Sequence, residues 1–201
     1  MVKPIAVKAT KGAWYAGWRL VSLDGSTLDV ADEKGNDEAF GRPGASRGES
    51  AYPNIRFVSL AEVGTHVLFA VSGIALSEKV LPSLAKGMLC LADRNFFGFR
   101  MWTQATATAA DLLWRVKQNT RLEREQRLPD DSYLSHIFPC DRDRRHKTNG
   151  VAVRVIDYRL DGAVDAEQVY RVVTTIRDHP KAPATELAAL YHQRLGDRTR
   201  L

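Results

Sequence analysis

The sequence predicts an α/β protein in which a mixed sheet carries helices on both faces. Two short apolar runs, at residues 20–23 and 88–92, are each followed by a carboxylate, Asp24 or Asp93. Runs that are apolar on both faces are typical of strands inside a covered sheet. Stretches with helical spacing of apolar residues separate such runs, and this alternation favours an α/β arrangement. We therefore expect both runs at the centre of one sheet.

Length and composition indicate one sizeable globular domain. The 201 residues are 44% hydrophobic and 26% charged, which is ordinary for a protein with its own core. Lys and Arg exceed Asp and Glu by 29 to 24, and this net charge of +5 suits a polyanion such as DNA, although many other proteins share it. No run approaches the ~18 apolar residues of a membrane span, and the first twenty residues of the sequence lack the apolar h-region of a secretory signal, so no membrane partner is expected.

The two cysteines argue against a disulfide framework or a zinc site. Cys90 and Cys140 are far apart and form no CxxC pair. Cys90 lies within an apolar run and is expected to be a small core residue. A reducing cytoplasm is the expected location.

The first half of the chain predicts a strand followed by a hairpin. The expected elements are an N-terminal segment with few partners (1–16), a strand (17–23), a break at Gly25, an extended stretch (26–30), a polar turn (32–37), a loop (39–52) and two hairpin strands (54–62 and 66–71). The Gly-rich loop carries Arg42 and Arg47, which could lie along a phosphate backbone. A solvated connection is the alternative, and the sequence favours it.

A helix, a strand, a helix and a strand follow, at residues 75–85, 88–91, 96–107 and 110–116. Three strands followed by this alternation are typical of a ribonuclease-H-like domain, here expected over residues 17–118. The first and fourth strands are neighbours in that fold, so Asp24 and Asp93 are expected to meet. Paired carboxylates bind hard cations such as Mg²⁺. The alternative for Asp24 is that it only starts a turn with Gly25.

Residues 119–180 predict a β-rich insertion before a last helix. Strands are expected at 133–138, 151–160 and 169–176, and a helix at 183–194 within a C-terminal region of residues 181–201. The densest basic run includes Arg144, Arg145 and Lys147. These side chains could neutralise DNA phosphates, or the run could be the solvated tip of a hairpin, and both possibilities stay open.

Three short motifs carry a resemblance to a known family. They are Leu-Asp-Gly-Ser-Thr at residues 23–27, Leu-Ala-Asp-Arg-Asn-Phe-Phe at 91–97 and Tyr-His-Gln-Arg at 191–194. In this order, with an intervening β-rich insertion, they resemble the DDE transposases of bacterial insertion sequences, specifically the family named after insertion sequence 4. The resemblance runs from about residue 14 to residue 194.

The resemblance implies Mg²⁺-dependent DNA cleavage and strand transfer at transposon ends. It makes Asp24 and Asp93 ligands of a two-ion site, and it places Tyr191 and Arg194 on DNA near the cleaved end. Intact transposase subunits are further expected partners. The family's catalytic Glu lies four positions after the Arg, where this chain has Arg198. This copy is therefore expected to be inactive alone, since Asp197 and Glu186 are not in register with that position.

Residues 195–201 can be encoded so that deleting one base restores the family's continuation, Glu included. Truncation by a frameshift is therefore a hypothesis, which sequencing of the gene would check. Two other functions are considered: a DNA-binding or interaction protein that interferes with intact transposase, and an unrelated ribonuclease-H-like nuclease that uses Asp29 or Glu62.

Overall fold

The computed structural model describes residues 3–42, 52–159 and 169–196, except for the side chains of residues 74–76 and 194–196. Its strands are β1 (Trp14–Tyr15), β2 (Trp18–Asp29), β3 (Asn54–Glu62), β4 (Leu68–Gly73), β5 (Met88–Ala92), β6 (Asp111–Arg115), β7 (Gln126–Arg127), β8 (Tyr133–Ile137), β9 (Val151–Tyr158) and β10 (Tyr170–Thr174). Its α-helices are α1 (Lys34–Phe40), α2 (Phe99–Thr106), α3 (Asp141–His146) and α4 (Ala184–Gly196), and a 3₁₀ helix covers Ile74–Ser83.

These strands form one mixed sheet in the order β4-β3-β2-β5-β6-β10-β9-β8-β7, with β1 paired to β2. The pairs β2–β5 and β5–β6 are parallel, and the other pairs along the path are antiparallel. The predicted adjacency of the first and fourth core strands, β2 and β5, is confirmed. The order of the five strands from β4 to β6 is compatible with a ribonuclease-H-like fold.

Helices pack on both faces of the sheet, as predicted. On the α2 face, Leu23 and Trp114 belong to one buried cluster with Trp102 of α2. On the α4 face, Leu91 belongs to a second cluster with Leu187 of α4. The two clusters take alternate residues of each central strand because side chains alternate across a pleated sheet.

The predicted strands of the insertion are present, and they extend the central sheet. β10 pairs with β6 on one side and with β9 on the other, so the hydrogen-bonded ladder runs from the core into the insertion. The strand predicted at 151–160 is described up to Arg159, with β9 ending at Tyr158. The basic run lies in α3, which joins β8 to β9.

Several expectations about the first half of the chain are wrong. Gly25 does not break the strand, since β2 continues to Asp29 and pairs with β3 through Gly25 and Val58. Residues 34–40 are helical rather than part of a turn and loop. The N-terminal segment has partners, because the backbone N–H groups of Ile5 and Ala6 donate to Glu62.

Two helices differ in type or start from the prediction. Residues 74–83 form a 3₁₀ helix and not an α-helix, and Pro82 near its end cannot donate an i→i−4 hydrogen bond. α2 begins at Phe99 rather than at residue 96, because Gly98 before it is extended, with φ −164° and ψ 152°. Within the described ranges, no helix is long and apolar enough to cross a membrane.

Candidate active site

The parallel pairing of β2 and β5 brings the two predicted carboxylates together. The last paired residues are Leu23 and Ala92, and each is followed directly by an Asp. Neighbouring strands lie about 4.8 Å apart, so Asp24 and Asp93 are backbone neighbours at the carboxyl end of β5. This is the edge at which ligands collect in α/β sheets.

Asp24 and Asp93 also share a face of the sheet. Leu20 and Leu91 both pack on the α4 face. Asp24 is four residues after Leu20 in the same strand, and Asp93 is two residues after Leu91, so side-chain alternation assigns both carboxylates to that face. Both residues are partly buried.

The local structure of the two acids differs. Asp24 stays in β2, opposite Ser59 of β3, so the interpretation of Asp24-Gly25 as a turn is wrong. Asp93 does begin a turn, because one of its carboxylate oxygens accepts the N–H of Asn95 at 3.2 Å. That hydrogen bond uses one oxygen and fixes the side chain beside the end of β5.

Helix α4 lies over the same end of β5. The Tyr191 hydroxyl is buried and donates to the backbone oxygen of Ala92 at 3.2 Å, one residue before Asp93. Leu187, one turn earlier, is fully buried against the sheet. In this structure Tyr191 therefore anchors α4, and its contact with DNA stays a prediction. Arg194 lies one turn further along α4, and its side chain is outside the described part.

Arg115 is a member of this edge that the sequence analysis did not single out. Ala92 pairs with Trp114 in the parallel β5–β6 ladder, so the next residues, Asp93 and Arg115, lie side by side. Arg115 is only 9% exposed, and its guanidinium carbon is 4.7 Å from the ring centroid of Tyr170. The sequence does contain a signal for this residue, because Arg115 is a charged side chain inside the otherwise apolar run Leu-Leu-Trp-Arg-Val.

Of the two loop arginines, the structure describes only Arg42. Arg42 forms ion pairs with Asp32 and Asp37, which neutralise its charge. The hydrogen bonds that Arg42 donates to these two carboxylates raise its pKa. Arg47 lies outside the described residues.

The basic helix α3 borders a cleft that reaches the segment after Asp93. The cleft has a volume of about 430 Å³, and Phe97, Phe99, Arg121, Phe138 and Arg144 are among its lining residues. Arg144 pairs with Asp141 at 2.8 Å. Arg145 and Lys147 are exposed. The structure thus brings one end of α3 toward the loop that follows the second carboxylate.

Neither alternative acid joins Asp24 and Asp93. Asp29 is five residues along β2 from Asp24, about 17 Å away and on the other face. Glu62 is fully buried, pairs with Arg19 and accepts hydrogen bonds from Thr65 and Ala6. Burial acts to raise the pKa of Glu62, but these hydrogen bonds outweigh it and lower the pKa. The structure therefore does not bring Asp29 or Glu62 beside Asp24 and Asp93 as a third acid, and a nuclease that uses either of them stays a hypothesis.

The described residues contain no cluster of three or more His, Cys, Asp or Glu side chains that could hold a metal ion. Glu186 accepts the Tyr15 hydroxyl at 2.8 Å in the first turn of α4. Position 198, where the resemblance expects the third ligand, and Asp197 lie outside the part of the chain that the structure describes.

Comparison with known proteins gives one informative relative. The chain is 21% identical over 198 residues to the transposase InsG for insertion sequence element IS4 of Escherichia coli strain K12. The match covers 92% of this chain and 44% of that protein. The chain is distantly related to IS4-like transposases. It spans less than half of the relative's length, and no family model matches it.

Proposed function

We propose that this chain is the catalytic-core portion of an IS4-like transposase, a metal-dependent enzyme of DNA cleavage and strand transfer. The observation that carries the proposal is the parallel register that brings Asp24 and Asp93 together on the face covered by α4. The distant relationship to an IS4 transposase adds independent support. A ribonuclease-H-like core with helices on both faces is part of this proposal.

The two carboxylates fit Mg²⁺ because hard divalent cations prefer oxygen ligands and keep several water molecules. Asp24 and Asp93 would hold the ion, which when bound polarises a phosphodiester and lowers the pKa of water. Tyr191 would keep α4 against this edge through its hydrogen bond to Ala92. With Arg198 at the third-ligand position, metal affinity and activity should both be low.

DNA would be held by phosphate neutralisation, which does not depend on base sequence. Arg145 and Lys147 of the α3 region are exposed, and Arg144 lines the cleft next to Phe97 and Phe99. Arg194 would add a contact near the cleaved end. Arg42 is a weaker candidate, because it already has two carboxylate partners, and a DNA contact by Arg47 stays a prediction.

A nicking assay on supercoiled plasmid with Mn²⁺ tests the function, using Asp24→Ala and Asp93→Ala beside wild type. Asp29→Ala is the matched control, since it removes a carboxylate from the same strand on the other face. We expect at most slow residual nicking by wild type and the control, and this residual rate should fall at least about tenfold in either site variant. Equal, measurable rates in all four proteins would contradict the proposal.

A DNA-binding or interaction protein that interferes with intact transposase is the second candidate. Within the described residues, Asp24 and Asp93 have no third carboxylate beside them, which favours binding without chemistry. Band shifts on mixed-sequence duplex without any nicking, together with inhibition of an intact transposase, would support this candidate.

A further inference from the structure

We propose that Arg115 forms an anion site beside Asp24 and Asp93, where it binds a phosphate oxygen of a DNA strand. The anion chemistry follows from the structure, and the identity of the anion as DNA rests on the proposed function. No motif of the resemblance includes this residue.

Backbone register places Arg115 in line with the two acids. Leu23, Ala92 and Trp114 are aligned across β2, β5 and β6. One step further along these parallel strands, the aligned residues are Asp24, Asp93 and Arg115. All three belong to the α4 face by side-chain alternation, because Leu113 packs there two residues before Arg115. Two carboxylates and a guanidinium therefore share one row at one edge.

An aromatic platform holds the guanidinium in place. Its carbon lies 4.7 Å from the Tyr170 ring centroid. Tyr170 stacks on Tyr158 at 5.5 Å and meets the ring of His192 edge-on at 6.4 Å. Cation–π contact and burial restrict the side chain before any ligand binds, so little further entropy is lost when its N–H groups bind an anion. His192 belongs to α4, so the platform also ties the site to that helix.

The charges of Asp24, Asp93 and Arg115 together suit a phosphate that is bound to a metal ion. Two neighbouring carboxylates attract a divalent cation, while a guanidinium beside them repels it and attracts an anion. A planar guanidinium donates two parallel hydrogen bonds to phosphate. If Arg115 binds the anion, its removal should strengthen cation binding and weaken anion binding. If Arg115 only supports the fold, its removal should weaken both together.

The experiment compares wild type with Arg115→Met and Arg115→Lys by calorimetry. The probes are Mn²⁺ alone, inorganic pyrophosphate, and a mixed-sequence DNA duplex in Ca²⁺. The matched control is Arg100→Met. It removes an exposed arginine of α2 that pairs with Glu78. Thermal unfolding and near-UV circular dichroism show whether each variant is folded.

For Arg115→Met we expect severalfold tighter Mn²⁺ binding and at least about tenfold weaker binding of pyrophosphate and DNA, since charged hydrogen bonds are lost. Arg115→Lys should be intermediate, because it keeps the charge without the planar fork. Arg100→Met should bind all probes as wild type does.

The outcomes separate this inference from the proposed function. Pyrophosphate binding that depends on Arg115, in a protein that does not bind DNA, would support the anion site and reject the transposase proposal. DNA binding unchanged in Arg115→Met would overturn the anion site and leave the transposase proposal intact. A parallel loss of Mn²⁺ and anion binding in folded Arg115→Met, or no anion binding by wild type, would also overturn the inference.

Discussion

Glu62 shows how one buried side chain organises the N-terminal segment. Its carboxylate is fully buried, and its partners come from three parts of the chain: the Arg19 guanidinium, the Thr65 hydroxyl at 2.6 Å, and the N–H groups of Ile5 and Ala6. Breaking a buried ion pair by removing one partner is strongly destabilising. The acid is therefore a structural link between the segment and the sheet.

Replacing Glu62 by Gln should lower the free energy of unfolding by about 3 kcal/mol at pH 7, because Arg19 loses its carboxylate partner. The pKa of Glu62 is lowered in the folded protein, so its contribution is present above the unfolded pKa and is lost as pH falls through the folded pKa. Urea unfolding of wild type and Glu62→Gln at a series of pH values from 7 downward measures the difference in their free energies of unfolding.

The difference between wild type and Glu62→Gln should shrink as the solution becomes more acidic. Glu78→Gln is the control, because Glu78 forms an exposed pair with Arg100 and should cost less than about 1 kcal/mol. A difference for Glu62→Gln that grows with acidification would contradict the assignment.

At the residue scale, the two acids could be predicted but their neighbours could not. Asp24 and Asp93 each follow a short apolar run, which is a local signal. The role of Glu62 depends on Arg19 and Ile5, which are distant in sequence. Arg115 becomes informative only after the β5–β6 register is known, and no local pattern gives that register.

Helix α4 depends on a clamp from the insertion. The Arg154 side chain is fully buried and donates to Asp130, to Ser132 and to the backbone oxygen of Ala182 at 2.8 Å. The Asp130 carboxylate also accepts the N–H of Ala184, the first residue of α4, at 2.9 Å. A carboxylate at a helix N-terminus satisfies a free backbone donor and interacts well with the helix dipole.

Asp130→Asn should therefore destabilise the protein by about 3 kcal/mol, since it leaves a buried guanidinium without its counter-charge. Hydrogen exchange should increase most in the first turns of α4. Asp131→Asn is the neighbouring control: Asp131 is exposed and pairs with exposed Arg127, so it should cost less than about 1 kcal/mol. Equal losses in the two variants would contradict the clamp.

At the element scale, strands were predicted better than helices. Asn54–Glu62 was predicted to its exact bounds, because alternation and flanking turn residues are local signals. The 3₁₀ character of residues 74–83 was missed, since apolar spacing does not distinguish it from an α-helix. The short helix α1 has no buried residues, so it left no hydrophobic pattern to detect.

For the whole molecule, the sheet's connectivity brings the two candidate site acids together. Residues 24 and 93 are 69 positions apart, and only the parallel crossover from β2 to β5 makes them neighbours. The order of strands and helices predicted this adjacency, because that order is typical of a ribonuclease-H-like domain, in which the first and fourth strands are neighbours. That the insertion continues the sheet through β10 could not be predicted, since β-strand patterns do not reveal their partners.

If the proposed function is right, Asp24 and Asp93 form one divalent-cation site. Titration with Mn²⁺, followed by the loss of its free paramagnetic resonance signal, measures this directly. Wild type and Asp29→Asn should bind Mn²⁺ equally, and Asp24→Asn and Asp93→Asn should each lose at least about tenfold in affinity. No Mn²⁺ binding by wild type, or an equal loss in Asp29→Asn, would contradict a cation site shared by Asp24 and Asp93.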